Sequence, residues 1–218
     1  MKHRDMIRTH EFWMKRALRL ARRGEGLTRP NPPVGAVAVK DGKVVGEGYH
    51  RKAGGPHAEV IALSKAGRRA KGCTLYVTLE PCCTWGRTPP CTDLILSSGV
   101  SRVVACVRDP NPRHSGRGLT LLRRKGLAVL EGVCADEGMK LIAPFSKWVR
   151  KRLPYVTLKL GISVDGKIAD AQGSSRWITG PQARARVQEL RRRVDAVLVG
   201  GRTVRIDNPT LLPRPSRG

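Results

Sequence analysis

Thr74-Leu75-Tyr76-Val77-Thr78-Leu79, closed by Glu80-Pro81-Cys82, is the stretch on which the fold turns. Gly54-Gly55-Pro56-His57-Ala58-Glu59 precedes it, and Pro89-Pro90-Cys91-Thr92-Asp93-Leu94-Ile95-Leu96 follows it. Residues 74–79 read as a buried strand. The Gly-Gly-Pro triplet breaks the chain, and Val60, Ile61, Leu63 and Ala66 then recur at helical spacing, so His57 and Glu59 fall in a first helical turn. The two prolines read as a loop entering a second helix at Cys91. The pattern is helix, strand, helix.

Working outward, residues 12–23 form an amphipathic helix with Met14, Ala17, Leu18 and Ala21 on its inner face. Residues 34–39 and 44–49 read as strands joined by Asp41-Gly42, a strong hairpin turn. Beyond Cys91 come a strand at 103–107, a helix near 119–124, a strand at 127–130 and a closing helix at 137–148. Such alternation predicts a layered α/β sandwich. Arg150-Lys151-Arg152-Leu153-Pro154 has the polar, proline-ended composition of a boundary, which divides the chain into residues 1–150 and 151–218. The second part is expected to open with a strand at about Tyr155, turn at Asp165-Gly166, and continue with a helix over 181–193 and a strand over 196–199.

His57, Cys82 and Cys91 offer one imidazole and two thiolates, the ligand types of zinc, and Glu59 adds a carboxylate. Three such ligands leave one position for a water whose pKa the metal lowers to about 7, and Glu59 can then move protons. His-x-Glu with a later Pro-Cys pair matches the zinc-deaminase pattern, a hydroxide attacking an amino-bearing ring carbon. Cys91 at a positive helix end favours a thiolate. Two bland alternatives stand beside this. The cysteines can be small buried hydrophobes, or the zinc can be structural, with Cys83 as the candidate fourth ligand and a side chain expected to diverge from that of Cys82.

Trp85 occupies the position where Pro-Cys-x-x-Cys would place its second cysteine, which arrives only after Cys83-Thr84-Trp85-Gly86-Arg87-Thr88-Pro89-Pro90. With that loop the segment resembles the bifunctional riboflavin-biosynthesis deaminase/reductase family. Asn31-Pro32-Pro33-Val34-Gly35, Gly46-Glu47-Gly48-Tyr49-His50 and Asp109-Pro110-Asn111-Pro112 resemble its deaminase motifs. Lys159-Leu160-Gly161-Ile162-Ser163-Val164-Asp165-Gly166, Trp177-Ile178-Thr179 and Asp207-Asn208-Pro209 resemble its reductase motifs. The resemblance implies a three-layer α/β/α cytidine-deaminase-like domain followed by the first part of a dihydrofolate-reductase-like α/β domain. It implies deamination of a diaminopyrimidinone carrying a 5-phosphoribosylamino group, then NADPH reduction of the ribose.

Carried over residue by residue, the resemblance makes His57, Cys82 and Cys91 zinc ligands and Glu59 the proton carrier. Asn31, His50 and Arg87 would touch the deaminase substrate; for Arg87 a solvated loop charge is an equal alternative. Gly161, Trp177, Thr203 and Asp207 would touch NADPH, while Ser175, Arg191, Leu211 and Arg214 would touch the reductase's phosphorylated substrate. For Trp177 and Leu211 the alternative is core packing. The sequence given stops at Gly218, soon after the Asp207 motif, so the expectation is a working deaminase with an inactive, partly disordered reductase fragment. A homo-oligomer is implied by family analogy.

Composition sets bounds. The 218 residues, 40% hydrophobic, suffice for a substantial core, and neither a membrane-length apolar run nor a signal-peptide stretch is present, which points to a cytoplasmic enzyme. The six cysteines show no disulfide framework, and Cys73, Cys106 and Cys134 read as ordinary thiols. Forty-two Lys+Arg against seventeen Asp+Glu give +25, the electrostatic footprint of a nucleic-acid binder. That keeps two further classes open: a tRNA base deaminase with the same zinc site, and a non-catalytic zinc-stabilised RNA-binding module. Only 4% aromatic residues, and basic runs placed near predicted helix ends, argue for compositional bias instead.

Overall fold

The central strand is the apolar run itself. In this computed structural model, which describes residues 3–214, Thr74–Leu79 (β3) is buried along nearly its whole length. It pairs on one side with Gly35–Lys40 (β1), antiparallel, and on the other with Arg102–Val107 (β4), parallel. Lys43–Tyr49 (β2) joins β1 through Asp41-Gly42, both with positive φ as a type I′ hairpin turn requires, and Ala128–Glu131 (β5) completes the order β2-β1-β3-β4-β5.

Period-two alternation sends side chains to two cores. Ala38, Leu75, Val77, Val103 and Ala105 pack with Ala62 and Leu63 of Ala58–Ala66 (α2), Ile95 of Cys91–Ser97 (α3), and Leu119 and Leu122 of Arg117–Arg124 (α4). Val37, Tyr76, Val104 and Cys106 face the other way, against Met14, Ala17 and Leu18 of His3–Arg22 (α1) and Ile142. Helices on both faces of one mixed sheet make the layered α/β sandwich that alternation predicted, in the three-layer α/β/α form that the resemblance implied. Close approach of α2 to β2 depends on two glycines. A Cβ at Gly46 would lie 2.1 Å from Ala62 O, and one at Gly48 would lie 2.6 Å from the Ile61 side chain. The Gly46-Glu47-Gly48 motif therefore seats the helix that carries Glu59.

The closing helix is a correction. Residues 137–148 do not form one helix but fall in Ala135–Leu141 (α5) and Ala143–Lys151 (α6), parted at Ile142. Pro144 in the first turn of α6 lacks an N–H and its ring collides with the carbonyl four residues back, so a helix restarts there.

The chain divides into two units, Met1–Tyr155 and Val156–Gly218. In the second, Pro181–Arg193 (α7) forms as read from sequence, and Gly201–Asp207 (α8) is an additional helix stopped by Asn208 at φ 39° and Pro209. The strands expected from Tyr155 and over 196–199 are absent among the described residues, and residues 215–218 of the expected fragment lie outside them. A strand needs a neighbour to accept its ladder bonds. Here Val156, Leu158, Leu160, Ile162 and Val164, which follow the expected strand start at Tyr155, are exposed, and none of the unit's described residues is buried. Among the described residues no helix is long and apolar enough to cross a membrane.

Candidate metal centre and catalytic cavity

Two helix starts and one strand end converge. His57 is the residue capping α2, extended at φ −70° and ψ 163°, and Cys91 is the first residue of α3, while Cys82 follows the end of β3. The three ligand atoms lie within 4.8 Å of one another. His57 Nδ1 stands 3.2 Å from Cys91 Sγ and 3.6 Å from Cys82 Sγ, and the Cys91 N–H donates to Cys82 Sγ at 3.3 Å. Zn–S and Zn–N bonds of about 2.3 and 2.0 Å in a tetrahedron put ligand atoms about 3.5–3.8 Å apart, so this donor set fits zinc in both chemistry and spacing. Cys91's hydrogen bond, reinforced by His57, holds Cys82 far below the usual thiol range, at about 4. Cys91, which supplies that bond in a buried place, is pushed upward, and the bond to Cys82 raises His57.

Cys83 does diverge. It lines a separate hollow with Arg108, Ser115 and Arg117, and the candidate metal group contains no fourth protein ligand among the described residues. An open fourth position is what a catalytic rather than a structural zinc needs.

Glu59, in the first turn of α2, is 4% exposed. Burial, with the Cys82 charge adding to it, raises its carboxyl to about 7. A carboxyl poised near neutrality suits a group that must accept and return one proton. The sign for stability follows. A raised folded pKa leaves Glu59's contribution intact below the ordinary carboxyl range, near pH 4 to 4.5, and lost as pH rises through about 7. Glu59→Gln cannot ionise, so in the zinc-free chain it should nearly match wild type in urea near pH 4.5 and exceed it by about 3 kcal/mol at pH 8. Coincident unfolding curves at pH 8 would contradict a carboxyl raised by burial.

A cavity of about 410 Å³ opens over this centre, lined by Asn31, His50, His57, Glu59, Cys82 and Arg87 among others. His50 Nδ1 meets Pro56 O at 3.1 Å and must donate, so Nε2 accepts from Asn31 Nδ2 at 3.1 Å. That turns the Asn31 carbonyl oxygen away from His50. Burial lowers His50, which favours the neutral ring this pairing needs. Arg87 sits on an exposed loop at the rim.

The fold and site match known proteins. Residues 7–107 match the cytidine and deoxycytidylate deaminase zinc-binding region, and residues 154–218 match the RibD C-terminal domain. Riboflavin biosynthesis protein RibD of Escherichia coli (strain K12) is 54% identical over 204 residues, covering 94% of this chain and 56% of that protein. The chain belongs to the RibD family. RibD of Aquifex aeolicus is likewise 54% identical, over 93% of the chain and 57% of its own length. A solved diaminohydroxyphosphoribosylaminopyrimidine deaminase/5-amino-6-(5-phosphoribosylamino)uracil reductase from Thermotoga maritima matches with TM-score 0.91 and 49% identity, covering 98% of this chain and 61% of that one. The chain spans about half the length of the curated relatives it matches.

Sequence reasoning brought forward the three residues of the candidate metal group but gave no role to Asp109, Asn111, His114 and Phe145, which also line the cavity. Asp109 and Asn111 were visible as a motif, whereas His114 and Phe145 carry no local signal. The eight reductase positions lie on separate exposed or half-buried segments: Gly161, Ser175 and Trp177 before α7, Arg191 at its end, Thr203 and Asp207 on α8, and Leu211 and Arg214 after it. Trp177 is 69% exposed beneath Arg184 rather than in a core, and Leu211 is half-buried. Arg191 does reach the Leu211 segment, donating to Thr210 O at 3.2 Å.

Proposed function

We propose that this chain catalyses zinc-dependent hydrolytic deamination of 2,5-diamino-6-(5-phosphoribosylamino)pyrimidin-4(3H)-one, giving 5-amino-6-(5-phosphoribosylamino)uracil and ammonia. The observation that carries the reading is the convergence of His57, Cys82 and Cys91 beside buried Glu59 in an open cavity. The name of the Thermotoga maritima relative supplies the substrate.

Zinc on those three ligands supplies an acidified water, with pKa about 7. Glu59 takes a proton from water and delivers it to the ring nitrogen beside the attacked carbon, then carries the second water-derived proton, from the hydroxyl added to that carbon, to the departing amine, so one water enters and one ammonia leaves. Asn31 offers its carbonyl oxygen to an N–H of the ring, and His50 holds the amide in that orientation. Arg87 offers a guanidinium fork to the phosphate from the rim.

Residues 1–150 are proposed as the deaminase domain and 151–218 as reductase-related. Gly161, Trp177, Thr203 and Asp207 are the positions proposed for NADPH, with Ser175, Arg191, Leu211 and Arg214 for the reductase substrate, supported by the match of residues 154–218. Cofactor sites are concave and largely buried, and no described residue of Val156–Gly218 is buried. Deamination is therefore the activity proposed for this chain. Ammonia release from the phosphoribosylaminopyrimidine, run beside bulk tRNA, tests the choice of substrate. Turnover of the pyrimidine alone is expected; turnover of tRNA alone would overturn the reading and give the +25 charge a catalytic meaning.

A further inference from the structure

We propose that Glu80 is a positioning residue of the site, acting through the loop that joins β4 to α4; its kinetic consequence rests on the deaminase reading. Glu80 follows β3 directly, precedes Cys82 by two residues and is 5% exposed. Both carboxyl oxygens accept backbone N–H groups. Oε2 takes those of Asp109 at 3.1 Å and Gly116 at 2.8 Å, and Oε1 takes those of Gly118 at 2.8 Å and Leu119 at 3.3 Å. Its own N–H donates to Val107 O at 2.9 Å.

One side chain therefore closes the loop 109–116 at entry and exit, and also satisfies two of the N–H groups in the first turn of α4, which have no partners within their helix. Inside the loop, the Asn111 N–H donates to Asp109 Oδ1 at 2.8 Å and the His114 N–H to Asn111 O at 2.9 Å. That loop presents Asp109, Asn111 and His114 to the cavity holding Glu59 and Cys82. Helix α4 also rests on the same turn, since a Cβ at Gly118 would lie 2.1 Å from Pro81 O. The metal ligand Cys82 and the opposite cavity wall are thus both referred to one backbone segment, Glu80-Pro81-Cys82.

Glu80→Gln is the discriminating change. An amide keeps one acceptor oxygen, while its NH₂ group must face two N–H donors, so one pair of bonds is lost and the loop or the helix start is released. The zinc ligands are not touched. The test uses the full zinc-loaded chain and reads zinc content, kcat, KM for the phosphoribosylaminopyrimidine, and amide hydrogen exchange over residues 109–119. Zinc content should hold, KM should rise about tenfold with kcat within about threefold, and exchange at one donor pair, residues 109 and 116 or residues 118 and 119, should quicken by at least about tenfold.

A merely structural glutamate would lower the folded fraction, reducing apparent kcat at constant KM. That outcome, unchanged exchange, or faster exchange with unchanged KM would each overturn the proposal. Should Glu80→Gln not fold, Asn111→Ala and His114→Ala keep the Glu80 bonds and should still raise KM; unchanged KM in both sinks the claim that the clamped wall meets substrate. Wild-type chain that releases no ammonia refutes the functional reading but not the clamp. The clamp is then decided by exchange alone, slow at Asp109 and Gly116 if present, free if not.

Discussion

Glu59→Gln leaves zinc bound and lowers kcat for ammonia release by about 10²–10⁴-fold, the range over which positioned general acid–base groups act. The change is nearly isosteric, so the packing of α2 against β2 and the His57–Cys82–Cys91 cluster stay in place. What disappears is the group that carries water's two protons in turn, one to the ring nitrogen and one to the leaving amine. Burial has already raised Glu59 to about 7, where holding and releasing a proton are both accessible at neutral pH. Stability separates this loss from damage to the fold, because the zinc-free variant is expected to be more stable than wild type at pH 8. A variant that is inactive when zinc-loaded and more stable than wild type when zinc-free is the signature of a catalytic group, whereas full activity would remove Glu59 from the mechanism.

Cys91→Ser produces a comparably large loss by a different route. Zinc affinity falls by at least about 10²-fold, and activity falls with occupancy. Serine is a hard hydroxyl that does not ionise at neutral pH, and it leaves only His57 and Cys82 as protein ligands. Cys91 starts α3 and its N–H donates to Cys82 Sγ, a backbone contact the substitution keeps. The fold should therefore survive while the metal is lost. High zinc concentration restores part of the activity of Cys91→Ser and none of that of Glu59→Gln. Unchanged zinc content in Cys91→Ser would assign the cysteine to packing.

The first unit was legible because its signals are local. β3, α2 and α3 were marked by an apolar run, a Gly-Gly-Pro break and a Pro-Pro entry, and the three candidate metal-ligand positions are punctuated by those same elements. The break at Ile142 carried one local signal, Pro144, which the reading of residues 137–148 as a single closing helix passed over. Glu80 could not be recognised, since its partners at 109, 116, 118 and 119 become neighbours only when β4 and α4 pack. The second unit shows the converse. Alternation at 156–164 is a property of residues, but a strand is a property of pairs, and here no described segment pairs with it.

The basic residues also behave as local devices. Arg108 and Arg123 both hold Glu131, whose carboxyl they keep at about 2, and Arg22, Arg123, Arg124 and Arg191–Arg193 occupy last turns of helices. Cations there complement the helix dipole.

The central claim is that one metal, held by His57, Cys82 and Cys91, makes this chain a deaminase of the phosphoribosylated pyrimidine. Ammonia released per bound zinc is the direct measurement, taken on the chain as purified, after chelation, and after zinc is restored. Multiple turnovers that vanish on chelation and return with one zinc per chain are predicted. Turnover that persists in the zinc-free chain, or a fully zinc-loaded chain that releases no ammonia from this substrate, would contradict it.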